Sequence, residues 1–494
     1  MGLGLLILVS VGKENIYLSA QPEITFFKMA YRRHTNFSSE PTPQYFKTTP
    51  DFGRRCTVNV GKNADLMGQS YLYVELPSIQ FENIISSLNV KKFAWVKKIG
   101  LALINYIEFE VGGTIIDRHY GDWINIWIEM TTSMGLNKSV QHMIGDTHDL
   151  TGLSQSKSSR ILYIPLYFWF CQDTGLALPL IALAHNDIKI HVDFNNIDVC
   201  YKLSPAYFMT VNNSFCLYKP GEKIYQVYQN NKILGEFVYF DSINQKLYYN
   251  AIKGKFIVPT TNNDPKLKIV GETSGFESHL KVESVVVKDT DYFKFNKPSL
   301  INAYIVVNYI YLDNFERANF LNNSHEYLIQ VVQTLPEQVM YSLNVTYKLP
   351  LYNPVKLLVW RAILTSNQNS NDQFNYTTFP YTDEEEYLIN KNLIVINSVN
   401  RMELDTEEFY TNIPKYQYNI SNRQKGIYMY SFAVNPLDLQ PSGSMNFSKV
   451  DDAYIQMKMN KITNYQNPVA VKGYAVQYNL LRISNGIGGL VFNV

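Results

Sequence analysis

The segment "DRHYGDW" (117–123) gathers Asp117, His119 and Asp122, two carboxylates around an imidazole, which are the residue types that orient a general base or hold a metal. Sequence neighbours seldom complete such a site without a distant partner. The run just downstream offers a plainer account, in which Asp122 caps a helix and His119 satisfies a buried hydrogen bond. His325 in "NSHEYL" (323–328) resembles half of a zinc-protease helix, but the residue four positions on is Ile329, so the second ligand is missing. Arg32, Arg33 and His34 form a third cluster, beside Phe37 at the end of "AQPEITFFKMAYRRHTNF" (20–37). Such cations can touch phosphates, yet no further cation follows before Lys47, too few for a grip on nucleic acid that survives cellular salt. Arginines beside aromatics also pin a chain terminus across a subunit base by stacking and carboxylate forks, and the sparse charge favours that role.

Other signatures of catalysis are missing from the sequence. It contains no GxSxG, HExxH or GxxxxGK[ST] motif, and no GxGxxG after a strand. "GIGGL" (486–490) follows a strand with no helix behind it to hold a phosphate, and reads as a turn before a last short strand. "DEEEY" (383–387) does not resolve into the paired carboxylates of a sandwich hydrolase and reads as a solvated loop. Cys56, Cys171, Cys200 and Cys216 show no zinc spacing and are expected as buried free thiols. No cofactor or metal is expected, and no catalytic residue.

The elements that position these residues are mostly strands. "YLYVEL" (71–76), "YIEFEV" (106–111), "RILYIPLYFWF" (160–170), "IKIHVDF" (188–194), "VESVVV" (282–287), "INAYIVVNYIYL" (301–312), "AYIQMKM" (453–459) and "YAVQYNLLRI" (474–483) are short and rich in Tyr, Ile, Val and Phe. Many alternate, as antiparallel strands with one buried face do. Gly112-Gly113 suits a tight hairpin. Helices are few: "GDWINIWIEMT" (121–131) places Trp123, Ile126, Trp127 and Met130 on one stripe, and 314–333 reads as helical in parts, with Leu328 and Val331 or Val332 inward. The pattern indicates sandwiches or jelly rolls rather than a doubly wound nucleotide fold. A faint echo links the two halves: an aromatic strand, a Pro-containing loop and an alternating strand occur at 166–194 and again at 427–460.

A chain of 494 residues exceeds one ordinary core, so two domains are expected. Its 44 Lys+Arg balance 43 Asp+Glu, which excludes a surface built throughout for nucleic acid or anionic lipid. Charged residues reach only 18% while aromatics reach 14%, a composition suited to surfaces packed against neighbours. The opening "MGLGLLILVSVGKENIYL" is too short an apolar run to span a bilayer and lacks a signal peptide's basic start and cleavage site, so an N-terminal arm is expected. Sequons at Asn36, Asn137, Asn212, Asn322, Asn344, Asn375, Asn419 and Asn446 would mark glycan acceptors in a secreted protein; without a leader they read as by-products of Asn-rich loops.

Six stretches together resemble one family: "ENIYLSAQPEITFFKMAYRRHTNF" (14–37), "GGTIIDRHYGDWINIW" (112–127), "IPLYFWFCQDTGLALPLIALAHNDIKIHVDF" (164–194), "YIYLDNFERANFLNNSHEYLIQ" (309–330), "YSFAVNPLDLQPSGSMNFSKVDDA" (430–453) and "YAVQYNLLRISNGIGGLVF" (474–492). In order from end to end, they resemble the major capsid proteins of the nucleocytoplasmic large DNA viruses, the phycodnavirus, iridovirus and mimivirus-like group. The resemblance implies an all-β chain of two consecutive eight-stranded antiparallel jelly rolls, three chains making a pseudo-hexagonal homotrimeric capsomer of an icosahedral shell. It implies contacts between capsomers and with minor capsid and penton proteins, proximity to an internal membrane only through other proteins, no sequence-specific nucleic-acid binding, and a place in the virion's outer shell after assembly in the host cytoplasm. Under it Arg32, Arg33, His34, Phe37, Asp117, His119, Trp123, Trp127 and His325 become assembly residues. The expected division is an arm at 1–24 with "EITFF" leading into the first jelly roll at 25–200, a connection at 201–298 that lends strands to the second roll, and the second roll at 299–494. The Asn-rich loops at 260–266 and 366–373 are expected at the outer face. A glycan-binding attachment sandwich and a minor capsid paralogue are the alternative readings of the same fold.

Overall fold

The computed structural model describes residues 3–80, 92–228, 231–254, 256–258, 267–281, 287–288, 298–380, 382, 385–401, 405–420 and 424–492. The loop 260–266, most of "VESVVV" and the first two residues of "DEEEY" lie outside them.

Eight strands build the first jelly roll: β1 (Phe37–Tyr45), β2 (Arg55–Asn59), β3 (Leu66–Leu76), β4 (Ile104–Val111), β5 (Thr114–Tyr120), β6 (Arg160–Pro165), β7 (Ile188–Phe194) and β8 (Asn302–Leu312). One sheet runs β1-β8-β3-β6, with Leu178–Pro179 continuing the outer edge of β3, and the other runs β2-β7-β4-β5. The second roll uses β9 (His325–Thr334), β10 (Asn344–Lys348), β11 (Pro354–Leu364), β12 (Ile389–Ile396), β13 (Val399–Asn400), β14 (Ile427–Ser431), β15 (Ala453–Met459) and β16 (Val469–Ser484). Its sheets run β9-β16-β11-β14 and β10-β15-β12-β13. Adding eight to each label of the first roll reproduces the order of the second, so the echo between 166–194 and 427–460 falls on the same step, β6 to β7 and β14 to β15, although the expected strand at 160–170 ends at Pro165 and Trp169–Gln172 is helical. Alternation fills both cores: Ile188, Ile190, Val192 and Phe194 point into the first, and Leu358, Trp360, Ala362 and Leu364 into the second.

Three expected boundaries differ from the structure. "EITFF" pairs with nothing; residues 23–36 stay exposed in the arm and pairing begins at Phe37. The true first strand carries Pro41 and Pro43 and reads poorly as a strand, but β1 is an edge strand bonded only to β8, where a missing N–H facing outward costs no ladder bond. At the other boundary, β8 lies between β1 and β3 of the first roll instead of opening the second, because a jelly roll's last strand returns between its first and third. The interval 201–298 therefore interrupts the first roll. It lends no strand to the second roll among the described residues; instead Tyr207–Thr210, Lys223–Tyr228, Asn231–Asp241, Lys246–Lys253, Lys268–Gly271, Glu277–His279 and Val287–Lys288 form a sheet of their own over a core that includes Met209, Ile224, Phe237, Leu247 and Ile269. This tower leaves from the end of β7 and returns at the start of β8, while the arm joins β1 opposite the end of β8, Phe37 pairing with Leu312. Tower and arm thus lie at opposite ends of the roll, on the order of 35 Å apart for an 11-residue strand.

Smaller expectations divide as well. Gly112 and Gly113 both take positive φ, 58° and 88°, in the β4–β5 hairpin. "GIGGL" is a turn at Asn485-Gly486 followed by the short strand Ile487–Leu490. Residues 314–322 are helical, but 325–334 is strand, so Ile329 and Val331 point inward while Leu328 is 44% exposed. Loop 366–373 does sit at the tower end, yet it is tied down: Asn371 donates to the carbonyls of Asp198 and Tyr201, each at 2.7 Å, leaving a poor protease target. Cys56, Cys171 and Cys200 are buried free thiols and Cys216 is half-buried.

Candidate assembly site

The residues first considered for catalysis meet at the seam between the two rolls. Helix α1 (Gly121–Thr131) begins where β5 ends, and its start lies so close to the chain at 101–104 that a Cβ on Gly121 would run into the carbonyl oxygens of Leu101 and Ile104. A Gly121→Ala chain is expected to lose about 1–3 kcal/mol of stability, since backbone cannot step aside as a side chain would; the urea midpoint measures it, and an unchanged midpoint would contradict this placement of α1. The stripe Trp123, Ile126, Trp127 and Met130 packs on Leu357, Val359, Ile363, Ala470, Tyr474 and Val476, the outer face of the second roll's sheet. Trp123 lies 5.2 Å from the Tyr474 ring and 5.4 Å from Trp127. Burying each such side chain is worth about 2–3 kcal/mol, so the stripe alone can hold the rolls in register.

Polar groups fix the seam's geometry. Asp122 is not the helix cap expected of it. Its Oδ2 accepts from Arg361 at 2.9 Å and from Lys472 at 3.3 Å, both on the second roll. Arg361 also donates to Glu337 at 2.8 Å. Burial by itself would raise the Asp122 carboxyl, but Lys472 and Arg361 outweigh it and hold the group well below the usual carboxylate range. Arg361, buried by the same contact, is held firmly protonated by Asp122 against its own desolvation. Lys98 completes the seam, donating to Asn125 at 2.6 Å, Glu129 at 2.8 Å and, in the second roll, Gln424 at 3.1 Å.

Asp117 and His119 are close, with Nε2 2.9 Å from Oδ2, but their surroundings are structural. Asp117 Oδ1 accepts the backbone N–H of Val332 across the seam at 3.0 Å, and His119 stacks on Phe168 at 4.7 Å. Asp122 turns away toward Arg361, so the three groups first considered together do not converge on one point. A cavity of about 10 Å³ remains between His119, Trp123, Trp127, Tyr167, Gln172, Gln330, Val332 and Val476, room for about one water. Arg361, Lys472, Lys98 and Glu337 went unnoticed in the sequence because none of them sits in a recognisable motif; only the fold brings them to Asp122 and α1.

Elsewhere, His325 opens β9 and places Nε2 2.9 Å from the Phe320 carbonyl, tying the strand to the preceding helix. The arm carries Arg32, Arg33 and His34 on its surface; His34 places Nδ1 2.7 Å from the Thr35 carbonyl and its ring 6.1 Å from that of Phe37. Leu5, Leu8, Val9, Tyr17, Phe26 and Phe27 of the arm are also exposed, Phe27 by 98%. No described helix is long and apolar enough to cross a membrane. Among the sequons, Asn36, Asn212, Asn322, Asn344, Asn419 and Asn446 are exposed and Asn137 is half-buried. Asn375 is engaged instead, its amide donating to Asp372 at 2.9 Å and to the Phe379 carbonyl at 3.0 Å.

Two jelly rolls of the same strand order, fastened side by side by α1 and one ionic cluster, define a double jelly-roll protein. Residues 25–241 match the family described as major capsid protein N-terminus, and residues 316–489 match the large eukaryotic DNA virus major capsid protein. The chain is 34% identical to the probable capsid protein 4 of Acanthamoeba polyphaga mimivirus, over 99% of both chains. It is 28% identical to the major capsid protein of Phaeocystis pouchetii virus, again over 99% of both. In fold it is similar to the Faustovirus major capsid protein (TM-score 0.68, 12% identity, 96% of this chain and 94% of the other) and to the chain in the quasi-atomic model of the PBCV-1 virus capsid (TM-score 0.63, 20% identity, 95% and 100%). The chain belongs to the major capsid protein family of the large eukaryotic DNA viruses. Its work is structural and non-enzymatic: it self-assembles within the virion capsid of a large double-stranded DNA virus.

Proposed function

We propose that the chain forms a homotrimer whose six rolls make a pseudo-hexagonal capsomer, and that such capsomers tile the shell. The observation that carries this reading is the repeat itself. Two rolls of one strand order stand side by side, so three chains present six similar walls, and a heterologous contact closes such a ring. Near-neutral charge lets many copies crowd without self-repulsion. The working division of the chain is then an arm to residue 36, a first roll from 37 to 312 interrupted by the tower, and a second roll from 325 onward. Images of the purified protein should show a hexagonal outline; single two-lobed particles would count against the trimer.

The tower marks the outer end in this reading, and the arm with Arg32, Arg33, His34 and Phe37 lies at the base, where minor capsid and penton proteins or the layer beneath would meet it. An exposed run such as Phe26 and Phe27 is ordinary for a segment that waits for a partner. Deleting residues 1–19 is expected to leave trimers intact and to reduce the yield of closed shells. Loss of the trimer itself, read by chromatography, would show that the arm belongs to the ring and not the base. The exposed sequons lie open to modification if the chain meets a glycosylating enzyme, which intact mass would reveal.

A further inference from the structure

Each roll has two surfaces suited to the seam, and a single chain uses only one surface of each roll. The first roll contributes the flank between β5 and β6, with α1; the second contributes the outer face of β9-β16-β11-β14, where Leu357, Val359, Tyr474 and Val476 are buried by that contact. Among the described residues the two remaining surfaces are open. On the outer face of β1-β8-β3-β6 stands a row of register partners, Tyr45, Tyr304, Tyr73 and Tyr163, with successive ring centroids 5.4, 4.2 and 5.3 Å apart. Tyr45 and Tyr163, at the ends of the row, are 66% and 44% exposed, and Ile161 beside them is 46% exposed. Tyr304 and Val306 stand two residues apart on this face, as Tyr474 and Val476 do on the covered one. On the open flank of the second roll, between β13 and β14, lies a groove of about 510 Å³ lined by Ile396, Val399, Asn400, Arg401, Phe432 and Met445. On the corresponding flank of the first roll, five residues along β5 from its hairpin with β4, Val332 and Val476 of the second roll pack between His119 and Tyr167 and leave only about 10 Å³.

We infer that the groove between β13 and β14 receives the tyrosine face of β1-β8-β3-β6 from a second copy of this chain, so that the contact between chains repeats the contact within one. The inference rests on the trimeric reading and assigns its surfaces. An aromatic face left open on one roll and a groove left open on the other are complementary in kind, and Glu75, two residues beyond Tyr73 on the face, carries the charge opposite to Arg401. A contact that joins unlike surfaces and turns through a sixth of a circle at each roll closes after three chains.

Tyr163→Arg and Val399→Glu test the two surfaces separately. Val399 is 67% and Tyr163 44% exposed in the single chain, so melting of the monomer should fall little, by no more than the Tyr163 ring contact with Tyr73 contributes. Each variant is expected to raise the dissociation constant of the trimer at least about 30-fold, the cost of losing an aromatic anchor or of placing a charge in an apolar seat. Cross-linking supplies the second measurement. With Cys216 replaced by serine, chains carrying Tyr163→Cys and chains carrying Val399→Cys are co-expressed and treated with a short bismaleimide. A linked pair that appears only in the mixture supports the inference. Trimers that survive both charged variants and yield no linked pair would overturn the inference and leave the trimeric reading in place. A monomeric parent chain would overturn both.

Discussion

An Asp122→Ala chain is expected to lose about 3–5 kcal/mol of stability. The reason is what it leaves behind. Arg361 is 5% exposed and Lys472 lies within 3.3 Å of the missing carboxylate, so two cations would stay in the seam, with Glu337 the one remaining carboxylate bonded to them among the described residues. Equilibrium unfolding in urea at neutral pH measures the loss, and a change below about 1 kcal/mol would mean that water reaches the seam and screens it. Asp122→Asn adds a test by pH. The carboxyl is depressed in the folded chain relative to its ordinary value of 3.8, so its contribution is present above about pH 4 and disappears as pH falls toward the folded value. The gap in stability between parent and variant should therefore hold from neutral pH down to about pH 4 and narrow below it. A gap that widened in acid would contradict the sign of the shift.

Trp123→Ala is expected to cost about 3–5 kcal/mol, and the form of the loss matters more than its size. Trp123 is 2% exposed and fills the space between α1 and Tyr474, so its removal opens a cavity at the seam while both roll cores stay packed. The parent chain should melt with the rolls coupled. The variant should separate into two calorimetric transitions, because each roll keeps its own core, one around Ile190 and Trp95, the other around Trp360 and Tyr428. One unbroken transition at a lower temperature would show that the rolls are coupled mainly by other contacts, Lys98 and Gln424 among them.

Much of this was legible in the sequence, and what was not has physical causes. The period of Trp123, Ile126, Trp127 and Met130 announced a helix with one buried stripe; what buries it could not be read, since Val359 and Tyr474 come from strands more than 200 residues away. Alternation made Asn302–Leu312 a strand but was silent on its partners, which follow from the return path of a jelly roll and are hidden by the tower inserted before it. "EITFF" looked like a strand because local pattern cannot distinguish a segment that pairs within the chain from one that waits outside it, while Pro41 and Pro43 disguised a real edge strand. The weak alternation at 201–298 concealed a sheet of its own, whose half-exposed strands mix Lys and Asn with their apolar residues. Asp117, His119 and Asp122 drew notice as residue types that orient a general base or hold a metal, yet in the fold Asp122 turns away from the other two toward Arg361. Their work is to bind one roll to the other, a task that gives no local motif because the partners are ordinary residues brought together by topology.

The central claim, that this capsid chain closes with two others into one ring, is tested most directly by the solution mass of the purified protein from light scattering after size-exclusion chromatography. A single stable species of three times 57.1 kDa is the result expected. A species of 57.1 kDa that persists at the highest concentrations reached would contradict it.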